Sequence, residues 1–405
     1  METIDFIYLG IYTIMIYCSV LWFSVFFRNR KSVYDNPKPK RFPSITFLVP
    51  VHNGRKNIRK CLDSLLDLKY PKEKLNVIVI DDGSTDSTAE VVRKYKDVKL
   101  IQQEHSGKAS AMNNGLKYVT TELVGCMDAD SFPTKDYLMN LVGYLEDKKI
   151  SVATPAMRVL KTDSIPRKIQ WIEYNVMIFL RKAFSLFNCE FVIPGPGGLY
   201  KTSVLKKLGG FDEGNLTEDT EIAFKLQDHG YKIKNSINAY VYTDDPKNFK
   251  SLWKQRIRWY RGYLQNVKKY SHMIARPKYG NLGLFLLPMN LLWIFIFAFM
   301  LFSQLYLWSG DAISFITDWS HIGFNMMPIH FRVSSFLDIY TFFAITFFII
   351  TLLLLGFSTT YAGEKINLRK RIKSYIAFFF IYPFLMSMFW LMAFVYEATG
   401  AKRKW

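Results

Sequence analysis

The chain has 405 residues, half of them hydrophobic and 17% aromatic, which excludes a disordered polypeptide. Its 53 Lys and Arg against 34 Asp and Glu leave a charge of +19, which favours an anionic partner. The apolar residues gather in long blocks, so a lipid bilayer is the expected partner and nucleic acid is not. Four widely spaced cysteines (Cys18, Cys61, Cys126, Cys189) form no CxxC pair and argue against a zinc site or a disulfide scaffold.

Phe6–Phe27 is a 22-residue run without a charged side chain. At about 1.5 Å per residue it spans about 33 Å, enough for a bilayer core. Arg28, Arg30 and Lys31 follow at once and place its far end in the cytoplasm. Residues 1–30 are therefore read as a membrane helix and residues 31–248 as a cytosolic domain. Within that domain, Ser44–Pro50 and Asn76–Asp81 are continuous apolar runs of the kind found in buried parallel strands. Val98–Gln102 and Glu122–Met127 are the next strands expected. Segments 56–68, 85–95, 107–118 and 134–147 have helical periodicity. Strands alternating with helices predict an α/β domain with a mainly parallel sheet.

Residues 166–187 and 249–270 mix Arg and Lys with Trp, Tyr and Phe. Both read as amphipathic helices on the inner membrane face, the second lying in an interface region over 249–281. Three further apolar runs, about Leu282–Trp308, Ile339–Ser358 and Tyr375–Tyr396, predict a bundle of about three helices over 282–405. Lys365, Arg369, Lys370, Arg371 and Lys373 mark a cytoplasmic loop. Asp311, Asp318 and Asp338 with only Arg332 mark an outer one. The C-terminus then falls outside, although Lys402, Arg403 and Lys404 point the other way.

Ligands of open parallel sheets sit beyond the carboxyl ends of the strands, and the polar motifs fall there. His52-Asn53 follows the first strand and Asp81-Asp82-Gly83-Ser84 the second, with Ser84 placed to cap a helix. Asp128-Ala129-Asp130 follows the fourth. In extended backbone its two carboxylates point the same way and suit a hard divalent cation with phosphate oxygens. Lys108, after Ser106-Gly107, opens a helix and is placed to meet a phosphate. Thr217-Glu218-Asp219 begins another helix, where a carboxylate can act as a general base on a hydroxyl. Gln255, Arg258 and Trp259 are i, i+3 and i+4 and share one helix face. The arginine suits a diphosphate and the tryptophan a sugar ring. Gly195-Pro196-Gly197-Gly198 allows close approach of backbone to a ligand.

Asp82, Asp128-x-Asp130, Thr217-Glu218-Asp219 and Gln255-x-x-Arg258-Trp259, in this order, resemble the processive membrane glycosyltransferases of family 2. That group includes the cellulose, chitin, hyaluronan and poly-N-acetylglucosamine synthases. The resemblance spans about residues 44–262. It implies a GT-A domain facing the cytoplasm at the plasma membrane in a multi-pass protein. It also implies a UDP-sugar donor, Mg²⁺ or Mn²⁺ on Asp128 and Asp130, and inversion to a β-linked product. Asp219 would be the base with Glu218 beside it. Asp82, His52, Lys108, Gln255, Arg258 and Trp259 would serve the donor. Gly195, Pro196, Gly197, Gly198 and Trp259 would serve the acceptor. Where the family places a carboxylate after Pro50-Val51-His52-Asn53, this chain has Gly54. The expected activity is elongation of a polysaccharide, with N-acetylhexosamine units favoured. Single glycosylation of a lipid or polyprenol phosphate is the alternative, and a non-catalytic translocation subunit a minor one.

Overall fold

The N-terminal apolar run forms one helix, α1 (Thr3–Arg28), with Asp5 in its first turn and Arg28 in its last, both favourable to the helix dipole. The computed structural model describes residues 3–34, 36–322, 339–365 and 367–401. After α1 the chain alternates through β1 (Ile45–Val51), α2 (Ile58–Leu66), β2 (Leu75–Asp82), α3 (Thr88–Val92), β3 (Val98–Gln103), α4 (Lys108–Lys117) and β4 (Leu123–Cys126). β2 and β4 flank β1 in parallel, and β3 pairs with β2 in parallel. β1 is buried along its whole length because both of its faces are covered. Phe47 and Val49 pack with Ile58, Leu62 and Leu65 of α2. Leu48, one residue out of phase, joins Ile78, Ile80, Met112 and Leu116 on the opposite face.

The sheet is completed by β5 (Ser131–Pro133), β6 (Ile150–Val159), β7 (Leu199–Lys201) and β8 (Lys232–Thr243). Between them lie α5 (Ile165–Leu186), α6 (Thr202–Lys207) and α7 (Glu218–Asp228). The eight strands run in the order β3-β2-β1-β4-β7-β6-β8-β5. β7 is antiparallel to β4 and β6, and β5 to β8, while β6 and β8 are parallel, so the sheet is mixed but mainly parallel. One expected helix is absent: residues 134–147 form two 3₁₀ turns, Leu138–Asn140 and Val142–Glu146. The Pro37 carbonyl crosses directly over Gly143 there, and no side chain could occupy that position.

α8 (Phe249–Lys269) leads through a π-helical segment, Leu282–Leu286, into α9 (Leu287–Ile322), followed by α10 (Ile339–Tyr361) and α11 (Leu368–Ala398). Asp5–Arg28, Leu282–Ser303 and Arg371–Ala398 are long and apolar enough to cross a membrane, and Ile345–Tyr361 is a shorter apolar helix. α9 runs on through Asp311 and Asp318, which the sequence reading put in a loop. Arg332, Asp338, Lys402, Arg403 and Lys404 lie outside the described residues.

The two basic–aromatic helices hold several of their cations in contacts within the protein. α5 is wedged between β6 and β8 on one side and α1, α10 and α11 on the other. Its Arg167 pairs with Asp163 at 3.0 Å and Asp244 at 2.5 Å, and its Lys182 donates to the Asn235 carbonyl at 3.0 Å. On α8, Arg256 pairs with Glu173 at 2.7 Å and Arg261 with Glu397 at 2.6 Å. These cations have partners inside the protein. All four cysteines are free and buried.

Candidate active site

Three loops at the carboxyl ends of strands meet the start of α7 and one face of α8. The loop after β4 carries Asp128 and Asp130. α4 begins at Lys108, just after Gly107, whose φ of 94° needs glycine. The Lys108 ammonium sits 2.5 Å from Asp128 Oδ1 and 3.1 Å from Glu218 Oε1. Burial pulls this ammonium's pKa down, but Asp128, Glu218 and Asp219 outweigh it and hold the group well above the ordinary lysine range.

Thr217 is the N-cap residue of α7, and Glu218 and Asp219 fill its first turn. The loop before it is locked to α8 by buried amides. Asn215 Nδ2 donates to Asn266 Oδ1 at 2.7 Å, and Asn266 Nδ2 donates to Thr217 Oγ1 at 3.1 Å. Thr217 packs so closely on Gly262 of α8 that any larger residue there would collide. Asp219 Oδ1 accepts the Thr220 N–H at 2.7 Å, which leaves Oδ2 for the cavity. Burial and the neighbouring Glu218 push the Asp219 carboxyl up to about 6, against the opposing pull of Lys108 and Arg258. Burial also raises Glu218, but Lys108 and Arg258 overcome it and leave that carboxyl below its usual range. Two adjacent carboxylates are thus driven apart, one firmly ionised and one poised near neutrality, the separation seen where acid–base roles are divided.

The centre of the site is marked by Gly195. A methyl group placed on it would lie 2.9 Å from Lys108 Nζ, 3.4 Å from Asp128 Oδ2 and 3.6 Å from Asp219 Oδ2. The cation, the DxD carboxylate and the candidate base therefore converge on one point that only glycine leaves open. This point belongs to a cavity of about 1220 Å³, also lined by Asp130, Glu218, Pro196, Gln255, Arg258 and Trp259. Arg258 Nη1 donates to the Leu216 carbonyl at 3.2 Å, and the Arg256 guanidinium lies 4.2 Å from the centre of the Trp259 ring. Beyond this polar end the cavity continues between α1, α9, α10 and α11, with Trp22, Trp293, Phe297 and Phe380 in its wall.

Some expected site residues are placed elsewhere. Gly197 and Gly198 do not line the cavity. Their backbones bond to Cys126 at 2.6 and 3.0 Å, and Tyr137 Oη donates to the Gly197 carbonyl, so they continue the sheet. Asp82 and His52 are also outside the lining. The Asp82 carboxylate accepts the Ser106 and Gly107 amides at 2.9 Å each and Gln103 at 2.8 Å, with His105 at 2.9 Å. Burial raises its pKa, but these partners together hold it below the usual carboxylate range. His52 Nδ1 bonds the Asp82 carbonyl at 2.8 Å and its ring lies 4.3 Å from that of His105. Asp82 therefore shapes the loop that delivers Lys108. Ser84 caps no helix; its hydroxyl accepts the Asn53 N–H at 2.9 Å.

The structure adds groups that the motifs did not mark. Glu173, Arg181, Glu190 and Asp245 all line the cavity. Glu173 and Arg181 had one signal, as charged members of the basic–aromatic stretch 166–187; Glu190 and Asp245 had none.

Asp128 and Asp130 suit a divalent cation by their chemistry. They are two hard carboxylate donors on one short loop. Burial and the charge of Asp128 push Asp130 up to about 6, and the Lys108 ammonium lies against Asp128 as a cation does.

Residues 46–209 match the family described as Glycosyl transferase family 2. A poly-beta-1,6-N-acetyl-D-glucosamine synthase of Staphylococcus aureus (strain COL) is 34% identical over 262 residues, covering 61% of this chain and 63% of that protein. The protein of the same name in Staphylococcus epidermidis is 33% identical over 238 residues, 57% of each chain. The chain thus spans somewhat less than two thirds of the length of these curated relatives. A mannosyltransferase from Pyrobaculum calidifontis, solved in complex with GDP-Man and Mn²⁺, shares the fold with a TM-score of 0.61 at 23% identity. That likeness covers 93% of this chain and 99% of the other. The segment that carries Lys108, Asp128 and Asp130 thus matches the family 2 glycosyltransferase model, and the chain shares its fold with a solved mannosyltransferase.

Proposed function

We propose that this protein is an inverting membrane glycosyltransferase that uses a UDP-sugar to elongate a β-linked N-acetylhexosamine polysaccharide at the cytoplasmic face of the plasma membrane. The convergence of Lys108, Asp128 and Asp219 on Gly195 carries this reading. The 34% identity to a poly-beta-1,6-N-acetyl-D-glucosamine synthase favours N-acetylglucosamine as the sugar. Orientation with the domain in the cytoplasm rests on Arg28, Arg30 and Lys31 after α1.

In this reading Asp219 Oδ2 accepts the proton of an acceptor hydroxyl as its oxygen attacks the sugar C1 from the face opposite the diphosphate. The new C1–O bond forms, the C1–O(phosphate) bond breaks, and UDP leaves. A carboxylate held at about 6 is matched to this task near neutral pH. Arg258 and Lys108 bring positive charge to the departing diphosphate. Trp259, clamped by the Arg256 guanidinium, supplies a ring face for the acceptor sugar. Asp128 and Asp130 would hold Mg²⁺ or Mn²⁺, whose chemistry when bound is to offset diphosphate charge.

The apolar stretch of the cavity between α1, α9, α10 and α11 favours a second reading, a lipid acceptor that receives one sugar. Product sizing separates the two. Purified full-length protein is supplied with Mg²⁺ or Mn²⁺ and UDP-GlcNAc, and its products are sized by mass spectrometry. A ladder supports elongation; a single addition that requires lipid would overturn it.

A further inference from the structure

By length and hydropathy α11 is a helix that can cross a membrane. Its 31 residues rise about 46 Å, well over the roughly 30 Å of a bilayer core. A crossing helix carries its two ends to opposite faces. Both ends of α11 touch the catalytic domain and its attached helices instead.

At the start, Arg371 Nη1 donates to Thr162 Oγ1 at 2.8 Å, in the loop between β6 and α5. The Arg371 guanidinium also lies 4.3 Å from the centre of the Trp171 ring of α5. At the end, Glu397 Oε1 accepts Arg261 Nε at 2.6 Å and Gln265 Nε2 at 2.9 Å, both from α8. The Ala401 carbonyl accepts Arg261 Nη2 at 2.9 Å. In between, Ala377 and Tyr382 pack with Ile169 of α5, and Phe389 packs with Leu252 and Ile257 of α8. The Trp390 ring lies 4.2 Å from that of Tyr260.

α5 and α8 are themselves pinned along the domain. Arg167 and Lys182 tie the two halves of α5 to Asp244 and Asn235. α8 follows β8 closely, and Lys269 at its far end pairs with Asp212 at 2.7 Å. α11 therefore runs beside the domain along its whole length.

The chain has already returned to this face when α11 begins. Tyr361, the last residue of α10, stacks on Tyr34 with ring centres 5.7 Å apart and lies 4.3 Å from Phe26 of α1. Arg158 of β6 donates to the Ala362 carbonyl. α9 and α10 thus make one excursion and come back.

The free face of α11 is apolar. Ile372, Ile376, Phe380 and Phe384 recur at four-residue spacing and are 47%, 52%, 81% and 49% exposed, the last two at the edge of the cavity. The sequence is basic at both ends of the helix, with Arg369, Lys370 and Lys373 at its start and Lys402, Arg403 and Lys404 after its end. A crossing helix gathers such charge on its cytoplasmic flank. An apolar stripe with cations at both ends fits acyl chains beneath anionic headgroups of one leaflet.

We propose that α11 lies in the plane of the cytoplasmic leaflet along α5 and α8, its outward stripe in the acyl chains, so that both of its ends are cytoplasmic. The proposal rests on the reading of the catalytic domain as cytoplasmic. It reverses the outside placement of the C-terminus expected from hydropathy, and it accounts for Lys402, Arg403 and Lys404.

The test places single cysteines in the full chain, whose four native cysteines are buried. Thr399→Cys reports the end of α11, Lys94→Cys the catalytic domain and Ser309→Cys the far part of α9. All three positions are exposed. A membrane-impermeant maleimide is added to intact and to permeabilised spheroplasts. The expected result is that Ser309→Cys labels in intact spheroplasts, while Thr399→Cys and Lys94→Cys label only after permeabilisation. Labelling of Thr399→Cys but not Lys94→Cys from outside would overturn the proposal. Labelling of Lys94→Cys from outside would overturn the cytoplasmic reading of the domain, and with it the choice of leaflet.

Depth is read separately in vesicles of phosphatidylglycerol and phosphatidylethanolamine. Ile376→Cys and Phe384→Cys carry a fluorophore, and the lipids carry a nitroxide near the headgroup or at the chain end. An in-plane helix gives both positions the same shallow quenching. Deep quenching at Phe384→Cys alone, about 12 Å further along the axis, would mark a crossing helix and overturn the proposal. Quenching of neither position would show the face covered by protein, such as a second copy, and would overturn the lipid contact.

Discussion

Gly195→Ala tests the geometry at its tightest point. Gly195 is not among the glycines with positive φ, so alanine imposes no backbone strain. The added methyl would sit 2.9 Å from Lys108 Nζ, about 0.5 Å inside the 3.4 Å limit of ordinary contact. Lys108 is the end of a flexible side chain that is 33% exposed, and it can retreat. The cost to stability is therefore small, within about 1 kcal/mol. Activity responds differently. The methyl stands 3.4 Å from Asp128 Oδ2 and 3.6 Å from Asp219 Oδ2, in the space the reacting atoms require. A displacement of about 1 Å from attack geometry costs about 100-fold in rate. The assay is UDP release and kcat/KM for UDP-GlcNAc, beside UDP affinity and thermal stability of the same preparation. The expectation is a loss of about 100-fold in kcat/KM with a midpoint within a few degrees of wild type. Activity within threefold of wild type would show that the three groups do not act on a common atom.

Further outcomes follow from the same charges. Asp219→Asn removes the proton acceptor and is expected to lower kcat by about 10²–10⁴-fold. In wild type the base works only when deprotonated, so kcat/KM should fall as pH drops through about 6, where Asp219 and Asp130 both sit; a profile flat from pH 5 to 8 would refute this. Chelation should weaken UDP binding in wild type, and Mn²⁺ should restore it. Calorimetry of Asp130→Asn should show an affinity indifferent to metal, and full metal dependence there would move the ion elsewhere. Arg256→Met leaves Glu173 buried without its partner and is expected to cost about 3–5 kcal/mol. Adding Glu173→Gln should recover part of it, and a single-variant loss under about 1 kcal/mol, read as a midpoint shift, would deny the pair its role.

The charge ordering explains how so many acids occupy one site. Asp128, Asp130, Glu218 and Asp219 would repel one another in a dry cavity, and two of the four are held near 6. Lys108 and Arg258 neutralise the pair nearest to them. A diphosphate that engages these cations withdraws that neutralisation, so donor binding and the protonation of Asp219 are linked.

Much of the molecule is legible in the sequence, for local reasons. Continuous apolar runs at β1 and β2 mark strands covered on both faces, because each alternate residue then meets a core. Polar motifs after such runs fall at the carboxyl edge of the sheet, so Asp128, Asp130 and Lys108 were placed by position alone. Helical spacing put Gln255, Arg258 and Trp259 on one face, and the cavity lines all three. What the sequence could not decide depends on partners distant in the chain. The 134–147 segment has helical periodicity, yet the crossing of Pro37 over Gly143 keeps it as short turns. The partners of Arg256 and Arg167, Glu173 and Asp244, come to them across 83 and 77 residues, which no local pattern reveals. Gly195 and Gly197 sit two positions apart in one motif, but only the register of β7 against β4 decides which faces the ligand. Glu190 and Asp245 carried no pattern at all, since only folding brings them to the cavity wall. Periodicity reports the face a residue presents to its own element; tertiary structure alone reports what stands opposite.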